Sequence, residues 1–538
     1  MRKFILLGLP LVLAACGGGN ALGSANPQVP TQAGVSGTPP PQGQQPPPPP
    51  PPPPQQQPPP PPPAADLDQQ LRAIIQAQGL TGDPSRGRDV PDISSPLAQL
   101  GMRLFFSRSL SGDADVACAS CHLPTLAGAD QLSMPVGVAA DDPSLIGPGR
   151  SNAADQPIVP RNAPTTFNAV LWDHFMFDDG RIESLRPQPG ANGAAGQIRT
   201  PDVPFAQPDP EAGSTLPAAQ SRFPVTVDAE MRGAMFEAGN GNDDVRNHLA
   251  ARIGNYGAGK GELKRDRWLP LFQAAFNVST GARSVITYPN IAEALATYER
   301  SQLFVDNPWR DYVGGNNAAI PDAAKRGAIA FLTPGNRGGA GCSRCHRGDA
   351  FTDEQFHVIG VPQIGVGKGD GAHGDDDFGR GRESGDANDR YAYRTPSLLN
   401  VALTAPYDHD GVFATLDRVV QHYRNPAQSA TGYVNGRQWC ALRQFQQLPL
   451  AQCQALYPDA AANTQAALNQ LNAQRGTPRG LPPTNISNQQ AADIVAFLQT
   501  LSSRCAADRN CAARWTPPRD GGPDGQQLAP VDQHGNPL

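Results

Sequence analysis

The chain has 538 residues, with 43 Lys and Arg against 49 Asp and Glu, a formal charge of −6, 58 prolines, 56 glycines, nine cysteines and six methionines. That length leaves room for about two or three domains. The acidic balance excludes a general nucleic-acid binder, which carries a basic surface. The longest apolar run, at the extreme N-terminus, is too short to cross a bilayer.

Arg2 and Lys3 precede the apolar stretch Phe4–Leu13, which reads as a secretory signal over residues 1–15. Its ending, Leu13-Ala14-Ala15-Cys16, resembles a bacterial lipobox. The resemblance implies lipidation of Cys16 and, with Gly17 next, attachment to the outer membrane with the globular part in the periplasm. Residues 16–66 read as a Pro/Gln-rich tether, since 18 of the 58 prolines fall between Pro39 and Pro63. Such a run favours polyproline II and, at roughly 3 Å per residue, reaches about 80 Å. The tail 517–538, rich in Pro, Gly, Asp and Gln, is expected to be disordered.

Between these ends, helical periodicity marks Pro96–Ser107, Ile291–Gln302 and Ala323–Leu332. Ser487 with Gln490 predicts a capping box before an apolar-periodic run to Leu501. Cys118-Ala-Ser-Cys121-His122 and Cys342-Ser-Arg-Cys345-His346 are both CxxCH. Two thiols at that spacing reach the two vinyl groups of one haem, and the adjacent histidine turns in to bind its iron. The sequence therefore predicts two covalent c-type haems, with His122 and His346 as axial ligands. Cys440, Cys453, Cys505 and Cys511 remain, an even number in an oxidising compartment; pairing between near neighbours is expected, although three connectivities are possible.

The stretches LGMRLFFSRSLSGDADVACASCH, RNAPTTFNAV with FDDGR, AKRGAIAFLTPGNRGGAGCSRCHRGDAFTDEQFHVIGVP and RTPSLLNVALTAPYDHDGVFATLDRVVQHY are similar to motifs of the bacterial di-haem cytochrome c peroxidase and MauG superfamily. The resemblance implies a mainly α protein with long irregular loops: an N-terminal cytochrome c-like domain at 67–310, carrying the peroxide-reacting haem, and a C-terminal one at 311–516. It also implies hydrogen peroxide as oxidant and a calcium ion between the domains, held at Asn162, Thr404 and Pro406. Glu230, in AEMRG, matches the family's distal glutamate. Arg181, Arg394, His357 and His409 fall in matched motifs as structural or haem-propionate contacts.

Three departures refine the expectation. Val138 stands where many members carry a distal histidine, so the first haem is read as open. No methionine follows the second CxxCH, so the usual sulfur ligand of the second haem is missing there. MauG-like members place a tyrosine 19 residues after the LTAP threonine; here this is Tyr423, which shares a helical face with Leu416, Val419 and Val420. Finally, Asp178 replaces the tryptophan that the family places between its haems.

The favoured expectation is a MauG-like enzyme. Peroxide would generate a high-valent di-haem state that oxidises a periplasmic or outer-membrane protein or another substrate. The alternatives are a cytochrome c peroxidase fed by a small cytochrome or cupredoxin, and a non-enzymatic tethered electron-transfer module. The insertions near 186–225 and 425–485 read as substrate- or partner-binding segments or as inert loops.

Overall fold

The computed structural model describes residues 64–152, 159–532 and 534–538. The signal at 1–15, Cys16 and the proline run lie outside the described residues. Among those described, no helix is long and apolar enough to cross a membrane.

Two hydrophobic cores are each organised around a crossing pair of helices. In the first, Pro96–Phe105 meets Tyr288–Arg300. In the second, Asp322–Leu332 meets Asn488–Gln499. Both crossings depend on a glycine. A Cβ on Gly101 would lie 1.9 Å from the Ala294 carbonyl oxygen, and one on Gly327 would lie 1.8 Å from that of Asp493. The helices start where local chemistry says they should. Ser95 Oγ accepts from Ala98 N ahead of Pro96. Ser487 and Gln490 form the reciprocal capping box, at 3.1 and 2.9 Å.

The expected division at residue 310 is crossed at both ends. The helix Ala64–Gln78 packs Leu71 and Ile75 into the second core, because their apolar face lies against the helix Asp322–Leu332. Conversely, Ala506, Trp515 and Leu528 pack into the first core. The tail 517–538 is a correction: instead of remaining disordered, it folds back on the first core. Asp524 Oδ2 accepts from Ser107 Oγ, Ser109 Oγ and Trp268 Nε1 at 2.8, 2.8 and 3.0 Å, and Leu528 N donates to Phe106 O. Composition missed this because a few buried polar contacts anchor a segment that has little apolar content. Replacing Asp524 by Ala would leave three buried donors unsatisfied, and is expected to cost about 3 kcal/mol or more, read from denaturant unfolding.

The two insertions are also structured. Residues 186–225 supply Ile198, Leu216, Ala219 and Phe223 to a small core beneath a three-stranded antiparallel sheet, Phe175–Met176, Ile182–Ser184 and Ile198–Arg199. Residues 425–485 form the helices Pro426–Asn435, Leu450–Gln454 and Ala460–Ala473. The structure joins Cys440 to Cys453 among them, and Cys505 to Cys511 beyond.

Candidate functional site

Both CxxCH motifs open onto one continuous cavity. Cys118, Cys121 and His122 line it together with Cys342, Cys345 and His346. The first motif forms a short helix, Cys118–Cys121, and the second a 3₁₀ turn, Cys342–Arg344. None of these four cysteines takes part in a disulfide. His122 Nδ1 donates to the Gly128 carbonyl at 3.3 Å, and His346 Nδ1 to that of Phe351 at 3.1 Å. A carbonyl oxygen can only accept, so each Nδ1 carries the proton and Nε2 is left for a metal.

The cavity also fits the carboxylates a haem would bring. Arg394 Nη1 is buried without a hydrogen-bond partner, as is His357 Nδ1, and both side chains line the cavity. Arg394 is otherwise held by its Nε donation to Phe177 O at 3.0 Å. His357 Nε2 lies 3.0 Å from Asp353 Oδ2, a carboxylate that raises the imidazole against the effect of burial.

FDDGR is the tip of the hairpin joining the first two strands of the sheet. Phe177 and Gly180 turn it with φ of +64° and +65°. Asp179, fully buried, accepts from Arg161 and Arg181 at 2.6 and 3.0 Å, and Arg161 also binds Asp377 at 2.6 Å. Burial alone would raise the Asp377 carboxyl, but Arg161 overrides it and holds the group at about 2. A depressed folded-state pKa stabilises above the ordinary carboxylate range and is lost as pH falls through the folded value. The wild type should therefore lose unfolding free energy between about pH 4 and pH 2. Arg161→Met should flatten that slope, as measured by denaturant titration at several pH values.

Glu230 lies in a π turn, Asp228–Arg232, and lines the cavity. The PVGV segment supports this turn. Val138 N donates to Ala229 O at 3.2 Å, and a Cβ on Gly137 would collide with that oxygen at 1.9 Å. Val138 thus spends its backbone on Glu230's turn and offers no ligand. The cavity histidines are His122, His346, His357 and His409. Of the last two, His357 is paired with Asp353, and His409 is stacked on Tyr393 at 3.8 Å.

Tyr423 lines the cavity with Leu416, Val419 and Val420, from the helix Leu416–Arg424. Burial pushes its phenol far up, the charge of Asp408 acts in the same direction, and the side chain shares the cavity with Cys342, Cys345 and His346. Its neighbour His422 faces elsewhere, with Nε2 donating to Ile359 O at 2.9 Å. Asn162, Thr404 and Pro406 also border the cavity. Asn162 Nδ2 donates to Leu132 O and Ser133 O, and Thr404 Oγ1 to Val401 O, so Asn162 Oδ1 and the main-chain carbonyls are the oxygens left for a cation.

The fold adds cavity residues that sequence patterns did not single out. Glu299 is buried at 7% exposure, and burial raises its carboxyl to about 8. Lys368 enters from a glycine-rich loop, and Met176 and Met231 line the cavity despite lying before the second motif. Trp172, unplaced by sequence, lines it too, with the Arg394 guanidinium 3.7 Å above its ring. None of these had a diagnostic spacing; only the tertiary structure gathers them.

Paired CxxCH motifs facing one cavity, each with an imidazole prepared for metal, define a c-type di-haem protein. A profile of the di-haem cytochrome c peroxidase family matches residues 95–318. The methylamine utilization protein MauG of Methylorubrum extorquens is 28% identical over 361 residues, 67% of this chain and 77% of that one. The cytochrome c551 peroxidase of Pseudomonas aeruginosa is 27% identical over 320 residues, 59% of this chain and 69% of that one. A MauG-like protein associated with microbial copper homeostasis, known from its crystal structure, shares the fold at a TM-score of 0.50 and 22% identity, covering 80% of this chain and 97% of that one. Residues 95–318 thus match the di-haem cytochrome c peroxidase family, the chain's relatives include MauG proteins and cytochrome c peroxidases, and the chain is a di-haem peroxidase-type oxidoreductase.

Proposed function

We propose that this protein is a MauG-like oxidase, lipid-anchored at Cys16 in the outer membrane, that uses peroxide to oxidise a partner protein in the periplasm. Tyr423 carries the reading: it lines the same cavity as Cys342, Cys345 and His346. The two haems, held by Cys118, Cys121, Cys342 and Cys345, would supply the oxidising equivalents drawn from peroxide. His122 and His346 would hold the irons. Val138 offers no further ligand, and Glu230, in the same cavity, would take a proton from the peroxide oxygen that binds and return it to the oxygen that departs as water. Asn162 Oδ1 and the carbonyls of Thr404 and Pro406 would hold calcium between the halves of the chain. The deciding experiment adds stoichiometric peroxide to the diferric protein and follows the decay of its product with and without a reduced small cytochrome. Persistence until a periplasmic protein is added supports the oxidase. Rapid turnover with the cytochrome would make it a cytochrome c peroxidase, and two unreactive six-coordinate haems a non-enzymatic electron carrier.

Trp172 compensates for Asp178 in this reading. An indole under Arg394, in the cavity that both motifs share, is the aromatic path that FDDGR lacks. Trp172→Phe should weaken the near-infrared inter-haem band that follows peroxide addition, while haem content stays unchanged by absorbance.

A further inference from the structure

Lys368 and Glu230 bring opposite charges into one cavity from different halves of the chain, and neither side chain has a hydrogen-bond or ion-pair partner among the described residues. Lys368 lies in the loop between the strands Phe356–Val358 and Ala392–Arg394. Lys368 N donates to Asp376 O at 2.8 Å, and Asp370 pairs with Asp376, which closes the loop into a hairpin. Glycines seat it on both sides. At Gly365, φ +98°, a Cβ would come within 2.5 Å of Met134 Sδ; at Gly367, φ +63°, within 2.2 Å of the Asp375 carbonyl carbon. Side chains would be excluded at both positions. Met134 begins the segment whose Gly137 and Val138 support the Glu230 turn, so one short stretch of backbone positions both charges.

The other charges around Lys368 are already matched. Arg161 is bound by Asp179 and Asp377, Arg181 by Asp179, and Arg382, on the loop's own side, by Asp370. Tyr391 donates to Asp376. Of the two carboxylates whose charge acts on Lys368, Asp179 is bound by two arginines and Glu230 is the one without a partner. Burial and the guanidinium groups of Arg181 and Arg161 push Lys368 down to about 8, against the pull of Asp179 and Glu230.

We propose that Lys368 is a positioning residue for Glu230, its ammonium drawing that carboxylate into the cavity toward the face where peroxide reacts. This rests on Glu230 being the proton-handling group of the proposed function. Two measurements on the full-length holoprotein test it. The first is competitive acylation of amino groups across pH, read for each lysine by mass spectrometry. Lys368 should titrate near 8, and Glu230→Gln, by removing a negative charge, should move that midpoint down by about half a unit or more. The second is stopped-flow reaction of the diferric protein with peroxide. Lys368→Met should slow it about tenfold or more, Lys368→Arg should restore most of the rate, and Lys368→Met with Glu230→Gln should be no slower than Glu230→Gln alone. An unmoved midpoint, or slowing that adds in the double variant, would overturn the pairing even where Glu230→Gln is slow. A moved midpoint with an unaltered rate in Glu230→Gln would overturn the role of Glu230 and leave the pairing standing.

Discussion

Replacing Glu230 by Gln is expected to slow the reaction of the diferric protein with peroxide by about 10²- to 10⁴-fold, the span that a positioned general acid–base contributes. The substitution keeps the size and the hydrogen-bonding reach of the side chain and removes only its ability to take up and release a proton. The cavity supplies few replacements. His357 is paired with Asp353, and His409, stacked on Tyr393, is paired with Asp408. Glu299 and Asp178 are the other cavity carboxyls with no ion-pair partner, and burial raises both, Glu299 to about 8. A partial rescue of Glu230→Gln above pH 8 would point to Glu299 taking over. Stopped-flow traces at neutral pH, with haem content checked by absorbance, measure the effect directly; a rate within about threefold of wild type would remove Glu230 from the chemistry.

Replacing Tyr423 by Phe is expected to abolish the ligand signature of the second haem and to raise its reduction potential, within the range of about 0.8 V over which axial ligands tune haem iron. A phenolate is anionic and favours the ferric state; Phe supplies neither charge nor lone pair. The surroundings argue that the phenol would ionise only on a metal, because burial and the charge of Asp408 push it far up. His422 is not poised to take its place, since its Nε2 is bound to the Ile359 carbonyl on another face of the helix. Met176 and Met231 also reach the cavity, so a sulfur ligand in the variant would identify which of them lies within range. Electronic and magnetic circular dichroism spectra of the ferric protein, with a spectroelectrochemical titration, report both changes. An unchanged spectrum would leave Tyr423 as a packing residue.

Much of this molecule was legible in its sequence because its chemistry depends on residues close together in the chain. CxxCH places two thiols and an imidazole within five residues, so attachment and axial ligation are local properties. The capping box at Ser487 and the apolar face ending at Tyr423 are likewise set by helical spacing, and the folded helices follow it. Composition was a weaker guide. The tail 517–538 and the two insertions resemble loops by residue content, yet Asp524 satisfies three buried donors and the disulfide Cys440–Cys453 lies within a small helical layer.

The sequence by itself determined that two CxxCH motifs are present, which histidines follow their cysteines, and which helix face carries Tyr423. Only the tertiary structure decided that both attachment motifs share one cavity, that Trp172 lies in it under Arg394, and that Lys368 and Glu230 line it from different halves of the chain. The division has a physical basis. Covalent attachment and helical faces depend on neighbours in sequence, whereas the meeting of charges across a buried cavity depends on backbone packing between distant segments, set here by close approaches at Gly137, Gly365 and Gly367.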